Sequence, residues 1–301
     1  TDTARREAPL RLYALVAPHL GSTGRGNRAW VGTYKGRRML FARRHDSVLA
    51  LAAEPTPTRA SVGFVGASDG WQDFDAHGRM TWCHDSTDEG NVAGMLELAL
   101  LDGRSELALG FGTRFEQAAL QVNAALAEHF RNDWAGYVRA WVEWGRTIAP
   151  PPAGLDEPER RLYLQSAAVL RTHEDATAPG ATVASLSVPW GDTTDVPGGY
   201  HLVWSRDLVE TAGAFVALGQ RASAQRTLAY LVATQEPDGH WAQNQWVDGG
   251  AYWGGIQLDE AAYPILLAGA VRDAAAADGR DLGGVARGPR RPPDRPARST
   301  G

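Results

Sequence analysis

The sequence has little cysteine: Cys83 is the single one among 301 residues, so no disulfide can form within the chain. That count fits a reducing compartment and does not exclude a secreted bacterial protein. There is also no run of about 18 apolar residues, so the sequence predicts no membrane-spanning helix. The chain begins Thr1-Asp2-Thr3, without a Met or an apolar leader, which predicts a start that is processed or internal to a longer protein. We expect a soluble protein, either cytoplasmic or secreted.

Charge and composition narrow the classes of partner. The formal net charge is -5 and the pI is about 5.9, so there is no basic excess that would favour nucleic acid or an anionic membrane. With 44% hydrophobic residues, the chain can bury one large core or two smaller ones. Its 11 Trp are typical of sugar-binding proteins, although a Trp-rich core is the commoner reason for such a count.

Residues 1–114 have the pattern of an antiparallel β-sandwich that is incomplete at its start. Short β-branched, aromatic or alternating runs are separated by Gly, Asn and Asp. The segment 90–112 predicts two strands joined by a turn at Asp102-Gly103. The runs are RLYALVAPHL (11–20), RAWVGTYKG (28–36), RRMLFARRHDSVLALAA (37–53), ASVGFVGASDGWQDF (60–74) and GNVAGMLELALLDGRSELALGFG (90–112).

Helical periodicity begins at Phe115. Apolar residues at i, i+3, i+4 and i+7 over 115–148 predict one long helix or two shorter ones, and a PPPAG segment ends this helical linker, placed at 115–152. Residues 153–271 predict four more helices separated by Gly-, Pro- and Trp-rich loops, which suggests part of a helical barrel. The segment 272–301 is rich in Arg, Pro, Gly and Ala and predicts a disordered, low-complexity tail.

Several long segments resemble one family, in family order. They are TYKGRRMLFA, SVGFVGASDGWQDF, VPWGD, GGYHLVWSRDLVETAGAFVALG, PDGHWAQNQW and YWGGIQLDEAAYPILLA. The chain resembles glycoside hydrolase family 15, the glucoamylase and glucodextranase family, most closely in its bacterial two-domain members. The resemblance implies a multidomain β + α fold: a partial N-terminal β-supersandwich, linker helices, and the first part of an (α/α)6 barrel. It also implies exo-hydrolysis of α-glucosidic bonds in α-glucans, with release of glucose by inversion.

The resemblance assigns roles to five residues as a substrate-binding group. Arg206 and Asp207 fall on the pair that binds hydroxyls of the terminal glucose, and Tyr200 falls on a tyrosine near the reacting carbon. Trp253 falls on the tryptophan that packs beside the sugar, and Trp204 on the wall of the same pocket. These residue types suit a pyranose, since a guanidinium donates in a fixed fork, a carboxylate accepts from hydroxyls, and an aromatic ring covers C–H groups.

The same resemblance leaves the catalytic residues unassigned. An inverting glycosidase needs a general acid and a general base, with carboxyls roughly 6.5–9.5 Å apart, and in the family both lie beyond the segments matched here. Glu143, in WVEW, stands in the linker and does not take the acid's role. We therefore expect a family member truncated at both ends, whose frame departs from the family near Arg272 and whose sugar-binding half-site is kept. The chain itself is predicted to be inactive.

Plainer interpretations remain open for each residue. Asp207 could be a helix cap or first-turn acid with Arg206 as its surface partner, and Asp259 and Glu260 could serve only the dipole of their own helix. No metal ligand is predicted, since His240 has no second His at i+4. No cofactor is predicted, although structural calcium occurs in some relatives and no EF-hand ligand set is visible. The tryptophans that could be core residues are Trp204, Trp241, Trp246 and Trp253.

Three classes of function follow from these alternatives. The first is a glucoamylase-type glycosidase acting on an α-glucan or gluco-oligosaccharide. The second is a non-catalytic carbohydrate-binding remnant of such an enzyme. The third, a terpenoid cyclase with a similar barrel, is disfavoured because the sequence has no aspartate-rich protonating motif. The α-1,4 or α-1,6 linkage is not specified by the sequence, although Trp190 and Asp192 are candidates for outer contacts.

Overall fold

The computed structural model describes residues 10–186 and 199–277. Its contacts divide the chain into two units, with the boundary between Val142 and Glu143. The first unit holds seven strands among its described residues: β1 Leu12–Val16, β2 Arg28–Tyr34, β3 Arg37–Arg44, β4 Ser47–Glu54, β5 Arg59–Phe64, β6 Val92–Leu98 and β7 Glu106–Gly112. Its helices are α1 Gly70–His77, α2 Phe115–Glu128 and α3 Phe130–Gly145, the last of which runs across the boundary.

The first unit is a β-sandwich, as predicted. One sheet has the order β1-β6-β5 and the other has the order β2-β3-β4-β7, and all neighbouring strands are antiparallel. The core between them combines side chains from both sheets, because alternate residues of each strand point to the same face. It includes Leu40, Leu49 and Leu51 from one sheet and Val62, Val92 and Leu96 from the other.

Helix α2 covers the second face of the four-stranded sheet. The odd-numbered residues Met39 and Phe41 of β3 point away from the sandwich core and pack with Ala118 and Val122 of α2. Strands β3 and β4 are therefore buried on both faces, which explains why their sequences read as nearly continuous apolar runs rather than as alternation.

Two details of the first unit differ from the sequence-based expectation. The segment 60–74 is not all strand, because Asp69 caps a helix: its carboxylate accepts the N–H groups of Trp71 and Gln72, and α1 follows. The predicted turn forms, with φ of 52° at Asp102 and 73° at Gly103. The strands on either side of it do not pair with each other, since β6 already has β1 and β5 as neighbours and β7 pairs with β4.

The linker is two helices rather than one. Helix α2 ends and α3 begins at His129, whose φ of 65° is incompatible with a continuous right-handed helix. Four aromatic side chains then follow one face of α3 and pack in series: Phe130, Trp134, Tyr137 and Trp141.

The second unit contains the four predicted helices and a short hairpin. The helices are α4 Glu157–Thr172, α5 Ser205–Ala217, α6 Arg221–Thr234 and α7 Leu258–Ala277, and the hairpin strands are β8 Asn244–Gln245 and β9 Ala251–Trp253. Helix α5 packs against both α6 and α7. Their shared core includes Leu208, Ala212, Phe215, Leu231 and Leu267.

Helix α7 runs past the point where the tail was expected to start. The tail was placed at 272–301, and the helix continues to Ala277 because the run Ala274–Ala277 has the highest helix propensity of any residue type. The remainder of that tail, and the candidates Trp190 and Asp192, lie outside the described residues. None of the helices in the described ranges is long and apolar enough to span a membrane.

Candidate functional site

Arg206 lies at the centre of a group of carboxylates formed by two helices. It is the second residue of α5, and its Nη1 lies 2.7 Å from Oδ2 of Asp259 in the first turn of α7. Glu260 Oε1 lies 3.6 Å from the same nitrogen, and Asp207 Oδ2 lies 3.6 Å from Nη2. One guanidinium therefore faces three carboxylates, two of which come from a different helix.

These contacts shift the pKa values of Arg206 and Asp259, the closest pair, in opposite directions. The hydrogen bond to Asp259 is the largest of the effects that raise the pKa of Arg206 above its usual value. The same hydrogen bond is the largest effect on Asp259 and lowers the pKa of that carboxyl. Both shifts favour the charged forms, so this pair stays ionised across the ordinary pH range.

Glu260 is the buried member of the group. Its side chain is 0% exposed, its Oε2 accepts the backbone N–H of Arg206 at 2.7 Å, and the same oxygen contacts the hydroxyl of Ser205. Its Oε1 is buried and accepts no hydrogen bond from any described residue. A buried carboxylate needs such partners, because its desolvation is costly.

Of the two plainer interpretations of Asp207, a helix cap or a first-turn acid, the structure has the second. The N-cap of α5 is Trp204, and Asp207 is the third residue of the helix, within its first turn. Arg206 is also more than a surface partner of Asp207, since its shortest ion pair is to Asp259. Asp259 and Glu260 do lie in the first turn of α7, as expected, but they also contact Arg206 of α5.

Asp207 lines a cavity of about 350 Å³ between α4, α5 and the segment that follows α4. Such a volume is at the lower end of the range for small-molecule sites. The polar residues that line it with Asp207 are Glu210, Thr211, His173 and Thr182. A larger depression of about 490 Å³ lies in the first unit, but there Arg37 is already paired with Glu54 and Asn123.

The predicted aromatic residues lie in two places. Tyr200 and Trp204 pack together, with ring centroids 5.7 Å apart, and Tyr200 is 42% exposed while Trp204 is buried. Trp253 lies on β9, 47% exposed, with its ring 5.6 Å from that of Tyr252. The hairpin meets the start of α5 through backbone hydrogen bonds of 2.8 and 2.9 Å between Val203 and Gln245.

Trp241, one of the tryptophans considered above as core residues, does lie in the core. Its ring is buried and its indole N–H donates to the carbonyl oxygen of Leu231 at 2.9 Å. Trp246 instead packs its ring against Tyr252, at a centroid distance of 5.4 Å.

The sequence-based reasoning missed the part that Asp259 and Glu260 play around Arg206. The buried positions among the described side chains of α7 are Glu260, Pro264, Leu267 and Val271, which follow helical spacing. The sequence does not mark this stripe, because exposed Ile265 and Leu266 on the same helix are equally apolar. An acid in the apolar stripe of a helix has to find a partner on the neighbouring element.

Within residues 10–186 and 199–277, no group of three His, Cys, Asp or Glu side chains is arranged to hold a metal ion. The cation that faces Asp259 and Glu260 of α7 is the guanidinium of Arg206. His240, the histidine considered above, contacts Asp238.

Comparison with known proteins gives the same family for both units. The family model described as "Glucodextranase, domain N" matches residues 3–146, and the one described as "Glycosyl hydrolases family 15" matches residues 157–238. A glucoamylase of Clostridium sp. (strain G0005) is 35% identical over 260 residues, which are 85% of this chain and 36% of that protein.

A solved structure shows the same relationship in three dimensions. A bacterial glucoamylase crystallised with acarbose superposes with a TM-score of 0.78 at 35% identity, over 89% of this chain and 40% of the other. The chain thus spans about two fifths or less of the length of these relatives. The order of β-sandwich, linker helices and barrel helices, the two family matches and this superposition agree, and the chain belongs to glycoside hydrolase family 15.

Proposed function

We propose that this chain forms the sugar-binding half-site of a glucoamylase-type glycosidase. The reaction of such an enzyme is exo-hydrolysis of α-glucosidic bonds in α-glucans or gluco-oligosaccharides, with glucose released by inversion. The observation that supports it best is the arrangement at the start of α5: Arg206 is held by α7, and Asp207 beside it lines a cavity of about 350 Å³.

The chemistry of the five residues fits a terminal glucose. Asp207 accepts hydrogen bonds from vicinal hydroxyls, and the guanidinium of Arg206 donates to hydroxyl oxygens. Tyr200 and Trp253 keep much of their ring surface exposed, which suits contact with the C–H face of a pyranose. The ring of buried Trp204 packs against the ring of Tyr200. A site of this kind discriminates strongly against sugars that lack a required hydroxyl.

Binding is tested with acarbose and maltose by titration calorimetry on the 301-residue chain. We expect saturable binding that Asp207→Asn weakens at least about tenfold, since loss of a charge-assisted hydrogen bond is a change of this size. Asp273→Asn is the matched control, because Asp273 is an exposed acid on α7 whose ion-pair partner is Arg272. Absence of any binding by the unmodified chain would overturn the proposal.

Turnover is a separate question, because hydrolysis needs the acid and base carboxyls that the family resemblance assigns to no residue of this chain. We expect no glucose release from maltotriose or isomaltotriose. Release that survives purification and disappears in Asp207→Asn would show that the chain supplies both groups itself. The carbohydrate-binding function without hydrolysis, the second candidate, is favoured if binding is found and release is not.

A further inference from the structure

The geometry points to Glu260 as a positioning residue: we propose that this buried carboxylate fixes Arg206 in the orientation that binds the sugar. The inference rests on the proposed function, since the ligand concerned is the sugar bound by Arg206 and Asp207. It adds a residue from α7 to a site otherwise formed by α5, the loop before it and β9.

The first step is the missing cap of α5. The first N–H groups of a helix have no partner within the helix, and the N-cap residue Trp204 makes no side-chain capping hydrogen bond. Glu260 Oε2 accepts the N–H of Arg206 at 2.7 Å and contacts the Ser205 hydroxyl. A carboxylate from α7 thus does what an Asp or Ser at the N-cap does in other helices. The first turn of α5 is thereby tied to α7.

The second step concerns the side chain of the same arginine. Glu260 Oε1 lies 3.6 Å from Arg206 Nη1 and accepts no hydrogen bond from any described residue. Asp259, which does bond Nη1 at 2.7 Å, is partly exposed, with 43% of its side-chain surface accessible. Charges attract more strongly in the low dielectric of a buried position than at the surface. Glu260 therefore holds both the backbone and the guanidinium of one residue.

The consequence for binding is a guanidinium with one edge fixed against α7. A guanidinium has five N–H donors, and the hydrogen bond to Asp259 uses one of them. With Nη1 directed at α7, the remaining donors keep a constant direction, which lowers the entropy lost when a sugar binds. Without Glu260, only the partly exposed carboxylates of Asp259 and Asp207 would hold the same side chain, and the ligand would have to order it further.

The test compares Glu260→Gln with Val271→Ala. Glutamine keeps the length of the side chain and an oxygen for the Arg206 N–H, but it removes the charge. Val271 belongs to the same buried stripe of α7, so its truncation lowers stability without touching the carboxylates. By calorimetry with acarbose we expect about tenfold weaker binding for Glu260→Gln and a change within about twofold for Val271→Ala. Glu260→Asp, which keeps the charge, should recover part of the affinity.

Equal affinity of Glu260→Gln and the unmodified chain would overturn the inference. So would equal weakening by both variants at matched loss of thermal stability, because that would show a purely structural effect.

A ligand-free measurement keeps the two proposals distinguishable. In ¹⁵N spectra, the guanidinium signals of Arg206, identified by their loss in Arg206→Lys, should be sharp in the unmodified chain and broadened in Glu260→Gln. If the unmodified chain binds no acarbose, the proposed function fails, and these signals still decide whether Glu260 fixes Arg206. Unchanged signals in Glu260→Gln would contradict the inference.

Discussion

At the scale of single residues, one carboxylate with little or no exposure links separate segments in each unit. In the first unit, Asp73 on α1 is fully buried, and it accepts the backbone N–H groups of Thr81 and Trp82 at 2.6 and 2.7 Å. In the second, Glu174 accepts hydrogen bonds from Nε and Nη2 of Arg226 at 2.8 and 2.9 Å and from the N–H of Gly180 at 3.0 Å. Each joins a helix, or the residues just after one, to a loop that has no regular backbone pairing of its own.

We predict that Asp73→Asn destabilises the first unit by about 1.5–3 kcal/mol at neutral pH, the usual range for hydrogen bonds to a charged group. Burial raises the pKa of Asp73, but hydrogen bonds from Thr81, Trp82 and His77 outweigh it and lower the pKa below 3.8. A lowered folded-state pKa means that the stabilisation is complete above the unfolded value and is lost as pH falls through the folded value. The deficit of the variant should therefore shrink below about pH 3.8.

Urea unfolding at pH 7 and pH 3 measures this difference. Asp75→Asn is the control, since Asp75 is an exposed acid on the same helix. An Asp73→Asn deficit that stays constant between the two pH values would contradict the prediction.

The residues of the site also differ in how far the sequence predicted their roles. Arg206 and Asp207 could be singled out because the dipeptide stands between aromatic residues and an apolar helix. The part played by Glu260 around Arg206 could not be assigned, because its partners, Ser205 and Arg206, are more than fifty positions away and meet it only when α5 packs on α7. Local spacing does not show that Glu260 lies on a buried face, since α7 also has apolar residues at exposed positions, and it does not show which neighbour the acid binds.

Secondary structure was predictable where its signal was local. The helices of the second unit follow from apolar spacing, and the break at His129 falls inside a segment that allowed two helices. Helix α1 was missed because it is short and follows a Gly- and Ser-rich stretch that reads as a turn. The separation of β6 and β7 into different sheets depends on β1 and β4, which lie far away in the sequence.

The connection between β5 and α1 yields a prediction about Gly63. The chain turns back so tightly there that a Cβ on Gly63 would lie 1.9 Å from the carbonyl oxygen of Ser68, a backbone atom. Because the turn is held by three N–H groups that donate to the Phe64 carbonyl oxygen, it cannot yield easily. We expect Gly63→Ala to lower the free energy of unfolding by about 1–3 kcal/mol or more.

Gly136→Ala should change the free energy of unfolding in the opposite direction in the same assay. A Cβ at Gly136, within α3, meets nothing within 4 Å, so alanine should stabilise that helix by about 0.5–1 kcal/mol. Thermal unfolding of the two variants measures both effects. A stable Gly63→Ala protein would mean that the turn is looser than the structure has it.

At the scale of the whole molecule, two helices of the second unit leave apolar side chains in solvent. Leu162, Leu164 and Val169 of α4 are exposed, as are Leu258, Ile265 and Leu266 of α7. Ile265 and Leu266 are 71% and 63% exposed, although α7 buries a separate stripe on its other side. Exposed apolar side chains favour association where they form a patch.

We therefore predict concentration-dependent self-association of the 301-residue chain, measured by sedimentation velocity. The double variant Ile265→Lys with Leu266→Lys should shift the distribution toward monomer, because it replaces the apolar surface with charge. Ala268→Lys with Ala270→Lys adds the same charge to the same helix at exposed positions and should have the smaller effect. A chain that is monomeric at all concentrations would contradict the prediction.

If the proposed site binds sugars, we expect the carboxylates around Arg206 to affect which saccharides bind. One positive formal charge stands against three negative ones, and Glu210 adds a fourth along the neighbouring cavity. At an effective dielectric constant near 20, two like charges about 4 Å apart repel by about 4 kcal/mol. We therefore expect a uronic acid or a sugar phosphate to bind more weakly than the matching neutral sugar, and a saccharide with a protonated amine to bind more tightly.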